Sequence, residues 1–178
     1  TDAMARFKRE VLLARKVTHP NVCRIFDLFR HRPEGEGGRD EIVFISMELL
    51  RGKSLAARLK ERGRMSMGEA LPLIGQMASA LAAAHDAGIV HRDFKPGNVV
   101  LVGVPGQDAE RAVVTDFGLA LQSLASDEGI SFSTGPGLLG TPAYMAPEQL
   151  ECRPATKASD VYALGLVIFE MLTGEKPF

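Results

Sequence analysis

Phe7, Val11, Leu12 and Ala14 recur near helical spacing among charged neighbours, which predicts a one-sided helix over Asp2 to Val17 that stops before His19-Pro20. The next stretch, VCRIFDLF at 22–29, is strand-like, and so is IVFISMELL at 42–50, which is rich in β-branched side chains. The Gly-rich, charged run RHRPEGEGGRDE lies between them, so an antiparallel hairpin is expected, with its glycines supplying flexible backbone at the tip. After Arg51-Gly52, SLAARLKERG reads as a short helix capped by Ser54. A longer helix follows from Ser66 to Asp86, with Leu71, Ile74, Met77, Ala78, Leu81 and Ala82 as its core face and Gly88 as its stop. Short strands are predicted at Ile89-Val90, Val99 to Val102 and Ala112 to Thr115. Residues 123–140, poor in bulky side chains and rich in Ser and Gly, read as a mobile surface loop. Helix resumes at Pro147 to Leu150 and again over Ser159 to Leu172.

Composition narrows the field. The 178 residues are 46% hydrophobic, enough for a substantial core within the usual size of one domain. Lys plus Arg number 21 against 22 Asp plus Glu, so the formal charge of -1 gives no general electrostatic reason to expect nucleic acid or an anionic membrane as partner. Cys23 and Cys152 lack any CxxC or Cys/His ligand spacing, which argues against a disulfide scaffold or zinc site and for a reduced compartment. No run approaches the roughly 18 apolar residues of a membrane span, and the charged amphipathic start is unlike a secretory signal. A cytoplasmic location is therefore expected, with any membrane anchor lying elsewhere in a longer protein. The start without methionine, directly in a helix, and the stop at GEKPF suggest an excised piece.

The chemistry concentrates in His91-Arg92-Asp93-Phe94-Lys95-Pro96-Gly97-Asn98, Asp116-Phe117-Gly118 and Ala146-Pro147-Glu148. In order and spacing these resemble the signature set of protein kinases, and the whole chain is similar to bacterial serine/threonine kinases of the eukaryotic-like type, in which phrases such as GTPAYMAPEQL are usual. The resemblance implies an α+β, two-lobed fold truncated at both ends, with a partial small lobe over 1–50 and a partial large lobe over 51–178. It implies phosphorylation of serine and threonine hydroxyls on proteins at the expense of ATP, with Mg2+ and, as an alternative ion, Mn2+. A second kinase copy is an implied partner for trans-phosphorylation.

The resemblance also implies roles. Glu10 is the ion-pairing glutamate of a regulatory helix, Met47 the gatekeeper, and Glu48 to Leu50 the hinge that holds adenine by its backbone, with Val100 also in the nucleotide site. Phosphoryl transfer needs a group that orients and accepts the proton of the attacking hydroxyl, and Asp93 suits that task; on its own it would read as a salt-bridged or loop-capping carboxylate. Lys95 could neutralise the transferring phosphate. Asn98 and Asp116 offer hard oxygen ligands for Mg2+ from two separate loops, although each alone would read as a turn residue. Gly118 lets the backbone turn after Asp116, while Phe117 and His91 read as packing and switch residues. Arg92 is matched to the arginine that pairs with a phosphate on the activation segment, with Ser133 or Thr134 as the phosphosite. Thr141 is matched to the threonine that marks serine/threonine specificity, and Asp160 to the carboxylate that accepts hydrogen bonds from the catalytic-loop backbone.

Some family parts have no counterpart. The Gly-rich phosphate loop and the strand lysine that partners the helix glutamate precede Glu10 in the family, and Gly35, Gly37 and Gly38 fall in the hairpin loop without the required spacing. Phe94 replaces the leucine of the family motif. The arginine that would bury Glu148 lies further downstream in the family, so Glu148 is expected to be unpaired or solvated. Weak activity of the isolated chain follows, because rate enhancement needs all these groups together. The competing reading is a noncatalytic, pseudokinase-type binding protein or scaffold; a small-molecule phosphotransferase fits the GTPAYMAPE segment less well.

Overall fold

The computed structural model describes residues 9, 11–31, 42–106, 109–117 and 142–178. Helical turns at 11–14 lead into a loop at 17–24 and then into a hairpin of β1 (Ile25–His31) and β2 (Ile42–Met47). The pair is antiparallel, with Phe29 opposite Phe44 and their rings stacked 5.3 Å apart. A second antiparallel sheet, in the order β3-β4-β5, comprises Gly52–Ser54, Val99–Gly103 and Glu110–Val114. The helices are α1 (Leu55–Arg62), α2 (Met67–Asp86), α3 (Pro147–Leu150) and α4 (Lys157–Thr173).

Local chemistry sets the helix limits. Ser54 Oγ accepts from the Ala57 amide at 3.1 Å to start α1, and Gly63, at φ 69°, ends it. Ser66 and Glu69 form a reciprocal capping box at the start of α2, with the Ser66 amide donating to Glu69 Oε2 at 2.8 Å. Gly174 closes α4 in the left-handed conformation that only glycine adopts without steric cost.

The core forms where α2 packs on both β5 and α4. Ala70, Leu73, Met77, Ala80, Leu81 and Ala84 are buried on α2, against Ala163, Val167 and Met171 of α4 and Val99, Leu101, Ala112 and Val114 of the sheet. The buried face differs from the expected one: Leu71 is 61% exposed, and Ala78 and Ala82 face outward. Apolar residues cover most of the circumference of α2, so spacing alone left its rotational phase open. Two strand assignments also change. Ile89-Val90 forms no strand; the Ile89 amide bonds to Ala84 O at 2.9 Å and the side chain is buried directly after the helix. Gly52–Ser54 is a strand without apolar alternation, because a Cβ at Gly52 would lie 2.1 Å from Leu101 O and only glycine permits that approach.

The loop before β1 is bonded to the helical body. The Val114 amide donates to Asn21 O and the Cys23 amide to Val114 O, both at 2.8 Å, which gives a parallel bridge between Val22 and Val114. Buried Asn21 donates through Nδ2 to Ala112 O at 2.8 Å and to Gln76 Oε1 at 3.0 Å, and that oxygen also accepts from the Ala112 amide at 2.7 Å. The Asn21 side chain and carbonyl and the Cys23 amide thus meet partners from α2 or β5, while the Val22 amide donates within the loop to His19 O at 3.1 Å.

Buried Arg58 is less well satisfied. Its Nη2 approaches the half-exposed Glu69 at 3.4 Å, while Nη1 has no hydrogen-bond partner among the described residues. Arg58→Met is expected to leave stability unchanged or raise it by ~1 kcal/mol, since an apolar side chain of similar length removes a buried charge. Glu69→Ala should lower the urea midpoint, because it removes the carboxylate arm of the capping box and strands the guanidinium. Equilibrium unfolding of the two variants checks both signs.

Candidate active site

The loop at 91–98 is held from beneath by its rings. His91 is fully buried, with its ring 4.7 Å from that of Phe117 and edge-on to Phe94 at 5.5 Å. Its Nε2 meets Thr115 O at 2.9 Å, so the neutral tautomer with a proton on Nε2 satisfies both groups. Burial pushes the imidazole pKa down, against the opposing pull of Asp160. A neutral, hydrogen-bonded ring suits the packing role read for His91.

Asp160, in the first turn of α4, is 1% exposed and accepts three hydrogen bonds: from the His91 amide at 2.8 Å, the Arg92 amide at 2.9 Å, and His85 Nε2 at 2.7 Å. Between these anchors Arg92 adopts φ 69°. A non-glycine residue rarely occupies that region unless its surroundings enforce it.

The polar groups converge just beyond. Lys95 Nζ donates to Asp93 Oδ2 at 2.6 Å, and both side chains are about three-quarters buried. A short 3-10 turn, Pro96–Asn98, brings Asn98 back so that its Nδ2 donates to Asp93 O at 2.8 Å and to Asp93 Oδ2 at 3.2 Å. The Thr115 amide donates to Asn98 O at 2.9 Å, and Thr115 Oγ1 reaches Asp116 Oδ2 at 3.2 Å. Asp93, Lys95, Asn98 and Asp116 therefore occupy one place, linked through Thr115. Asp116 is exposed, at φ 60°, so its carboxylate is open to solvent at the end of β5.

The donor set suits a hard cation. With the Asn98 nitrogen committed to Asp93, its Oδ1 is the remaining ligand atom, and Asp116 adds a carboxylate. Among the described residues no three His, Cys, Asp or Glu side chains cluster to enclose a metal. Two protein oxygens, completed by phosphate and water, is a pattern Mg2+ accepts readily.

At the strand end, Met47 and Leu49 are exposed while Glu48 and Leu50 are half-buried. The Glu48 amide donates to Arg24 O at 2.8 Å, and its carboxylate lies 3.9 Å from Arg111. Val100 is paired between Ser54 and Val113 in the second sheet. Cys23 contacts Glu48 O through Sγ at 3.8 Å; burial, followed by the charges of Glu48 and Asp116, pushes the thiol pKa up to about 11. Glu10, Gly118, Ser133, Thr134 and Thr141, and the other hydroxyls at Ser123, Ser126 and Ser131, lie outside the described residues.

Glu148 was expected to be unpaired or solvated, and it departs from the first alternative only. Its carboxylate accepts a hydrogen bond from Ser159 Oγ, and that bond holds its pKa below the usual carboxylate range. The first turn of α4 lies against α3, so a hydroxyl of this chain pairs the group, which remains partly exposed to solvent. Three further contacts were missed. His85 supports Asp160; the Tyr144 hydroxyl donates to Glu170, with burial and that carboxylate raising the phenol pKa; and Gln149 Nε2 donates to Arg92 O at 2.7 Å. Together with Asp93 and Met145, several of these residues line a small cleft beside the loop. Only the phrase YMAPEQ hinted at Gln149, and nothing in the helical pattern distinguished His85.

The fold is that of a protein-kinase domain. The chain belongs to the protein kinase domain family, whose pattern it matches over residues 1–178. It is 41% identical over 177 residues to the serine/threonine-protein kinase PkaA of Streptomyces coelicolor, covering 99% of this chain and 30% of that protein. It is 39% identical over 177 residues to PknA of Mycobacterium tuberculosis, covering 99% of this chain and 38% of the relative. The crystal structure of the Mycobacterium tuberculosis PknI kinase domain superposes with a TM-score of 0.72 at 27% identity, covering 99% of this chain and 60% of that one. The chain thus spans about a third of the length of these two curated relatives.

Asp160→Ala is expected to cost about 2–5 kcal/mol in equilibrium unfolding, because two backbone amides and an imidazole lose their buried acceptor. His91 generates a pH dependence. As pH falls through 6.5, its ordinary value, the unfolded imidazole takes up a proton that the buried one resists, so stability is full above that pH and is lost below it. The drop in urea midpoint from about pH 7.5 to about pH 5.5 should be smaller in His91→Gln than in the parent.

Proposed function

We propose that the protein containing this chain transfers the γ-phosphoryl group of ATP to serine or threonine hydroxyls of other proteins. The observation that carries the reading is the Asp93 carboxylate held by Lys95 at 2.6 Å and Asn98 at 3.2 Å, with Asp116 joined to the same group through Thr115.

Asp93 orients the attacking hydroxyl and accepts its proton as the bond to phosphorus forms. Lys95 lies beside the oxygen that does this work and offsets negative charge on the transferring group. Asn98 Oδ1 and the Asp116 carboxylate hold Mg2+, with Mn2+ as a substitute of similar ligand preference; when bound, the ion neutralises charge on the phosphate oxygens. Buried His91 and Phe117 keep the two loops in register, and Asp160 fixes the backbone on which Asp93 stands. Met47, Glu48, Leu50 and Val100 form the adenine side, at the junction between a small lobe over 1–50 and a large lobe over 51–178. Arg92 receives a phosphate placed on Ser133 or Thr134 by a second copy of the kinase. The catalytic unit works in the cytoplasm, where ATP and Mg2+ are supplied; among the described residues no helix is long and apolar enough to cross a membrane.

The test is transfer of labelled phosphate from ATP to a generic basic protein by the full-length protein, followed by phosphoamino-acid analysis. Label on serine or threonine is expected, with Asp93→Asn lowering the rate ~10²–10⁴-fold and chelation of Mg2+ abolishing transfer. A folded, Mg2+-supplied protein that transfers no phosphate would overturn the reading.

A further inference from the structure

The peptide bond that joins Arg92 to Asp93 begins at a residue in the left-handed region, φ 69°. Its neighbours hold that residue from two sides. The Arg92 amide donates to Asp160 Oδ1 of α4 at 2.9 Å, and the Arg92 carbonyl accepts from Gln149 Nε2 of α3 at 2.7 Å. The opposite end of the same side chain is also occupied, since Gln149 Oε1 accepts from the Ala146 amide at 3.1 Å. The amide of Gln149 is therefore fixed in orientation at both ends and presents its NH2 group to the loop.

The Arg92 carbonyl and the Asp93 amide belong to one planar unit. Whatever sets the direction of that carbonyl sets the direction in which the chain enters Asp93. Asp160 holds only the preceding peptide, and the Asp93 amide makes just a long 3.4 Å bond to His91 Nδ1, so the 2.7 Å bond from Gln149 is the firmer hold on the Arg92–Asp93 peptide. Released from Gln149, a strained non-glycine residue has a downhill path toward the ordinary φ region.

We propose that Gln149 is a positioning residue for phosphoryl transfer: its side-chain amide locks the Arg92–Asp93 peptide, and through it the aim of the Asp93 carboxylate. The proposal rests on the assignment of Asp93 as the group that receives the hydroxyl proton. It also gives the 142–146 segment a route to the catalytic loop. That segment leads directly into α3, so its placement against the body determines whether Gln149 reaches Arg92.

Gln149→Glu separates the two duties of the side chain in the full-length protein. A carboxylate still accepts from the Ala146 amide but has no proton to give the Arg92 carbonyl. Three quantities are read: kcat and KM for ATP, the unfolding midpoint, and amide hydrogen exchange of a peptide covering residues 91–93 in the nucleotide-free protein. The expected result is a kcat lowered ~10-fold or more with KM for ATP little changed, faster exchange confined to the 91–93 peptide, and a midpoint lowered no further than the loss of one hydrogen bond accounts for. Leu150→Ala, an exposed change on the same helical turn, should move none of the three. Unchanged kcat and exchange in Gln149→Glu would overturn the proposal. So would a lowered midpoint with exchange raised evenly across the domain, because Gln149 would then be only a helix cap. The exchange measurement does not depend on turnover. Local acceleration in a parent protein that transfers no phosphate would uphold the lock on the peptide and sink the kinase assignment alone.

Discussion

A buried carboxylate is a costly object, and Asp160 is retained because three donors surround it. Two are backbone amides, of His91 and Arg92, and the third is His85 Nε2. Its place in the first turn of α4 adds the favourable field of the helix start. The traffic runs in both directions. The amides satisfy the charge, and the charge makes tolerable a backbone conformation that Arg92 would otherwise leave. From that point the rest of the site is assembled in sequence: His91 is buried, its ring reaches Thr115 O, and Thr115 binds the backbone of Asn98 and the side chain of Asp116.

Two left-handed residues flank this chain of contacts, Arg92 at φ 69° and Asp116 at φ 60°. Aspartate visits this region through local hydrogen bonds such as the one Asp116 accepts from Thr115, whereas arginine rarely does, so the Arg92 geometry is not supplied by local preference. Each stands beside an acidic group assigned to chemistry or is that group itself. Strain of this kind persists where packing over-determines the backbone, and here the packing is the stack of His91 with Phe94 and Phe117.

The parts legible in the sequence were those whose residue types have few other uses in that order. The loop 91–98 and the start of the 116–118 motif could be read together because, in that order, they resemble the signature set of protein kinases. Helix starts at Ser54 and Ser66 were legible because the capping side chain is local to the helix it caps. The supporting contacts were not, because they join residues far apart: Gln149 to Arg92 across 57 positions, His85 to Asp160 across 75, and Asn21 to Gln76 across 55. A lone polar residue on a helix carries no sign of such a partner. The phase of α2 was missed for a different reason, since a helix apolar on most sides offers several faces of equal merit. Glu148 was read through a partner absent from the chain, when Ser159 was already within reach.

The junction at 19–24 has a mechanical consequence. The β1–β2 pair is joined to the helical body covalently through residues 48–52 and non-covalently through Asn21, Val22 and Cys23 on β5. The two attachments lie side by side, since the Glu48 amide donates to Arg24 O at 2.8 Å. The hairpin is therefore rooted at a single place, where the segment that enters it and the segment that leaves it are bonded to each other. That root is set on β5, so the hairpin takes its bearing from the strand that leads into Asp116.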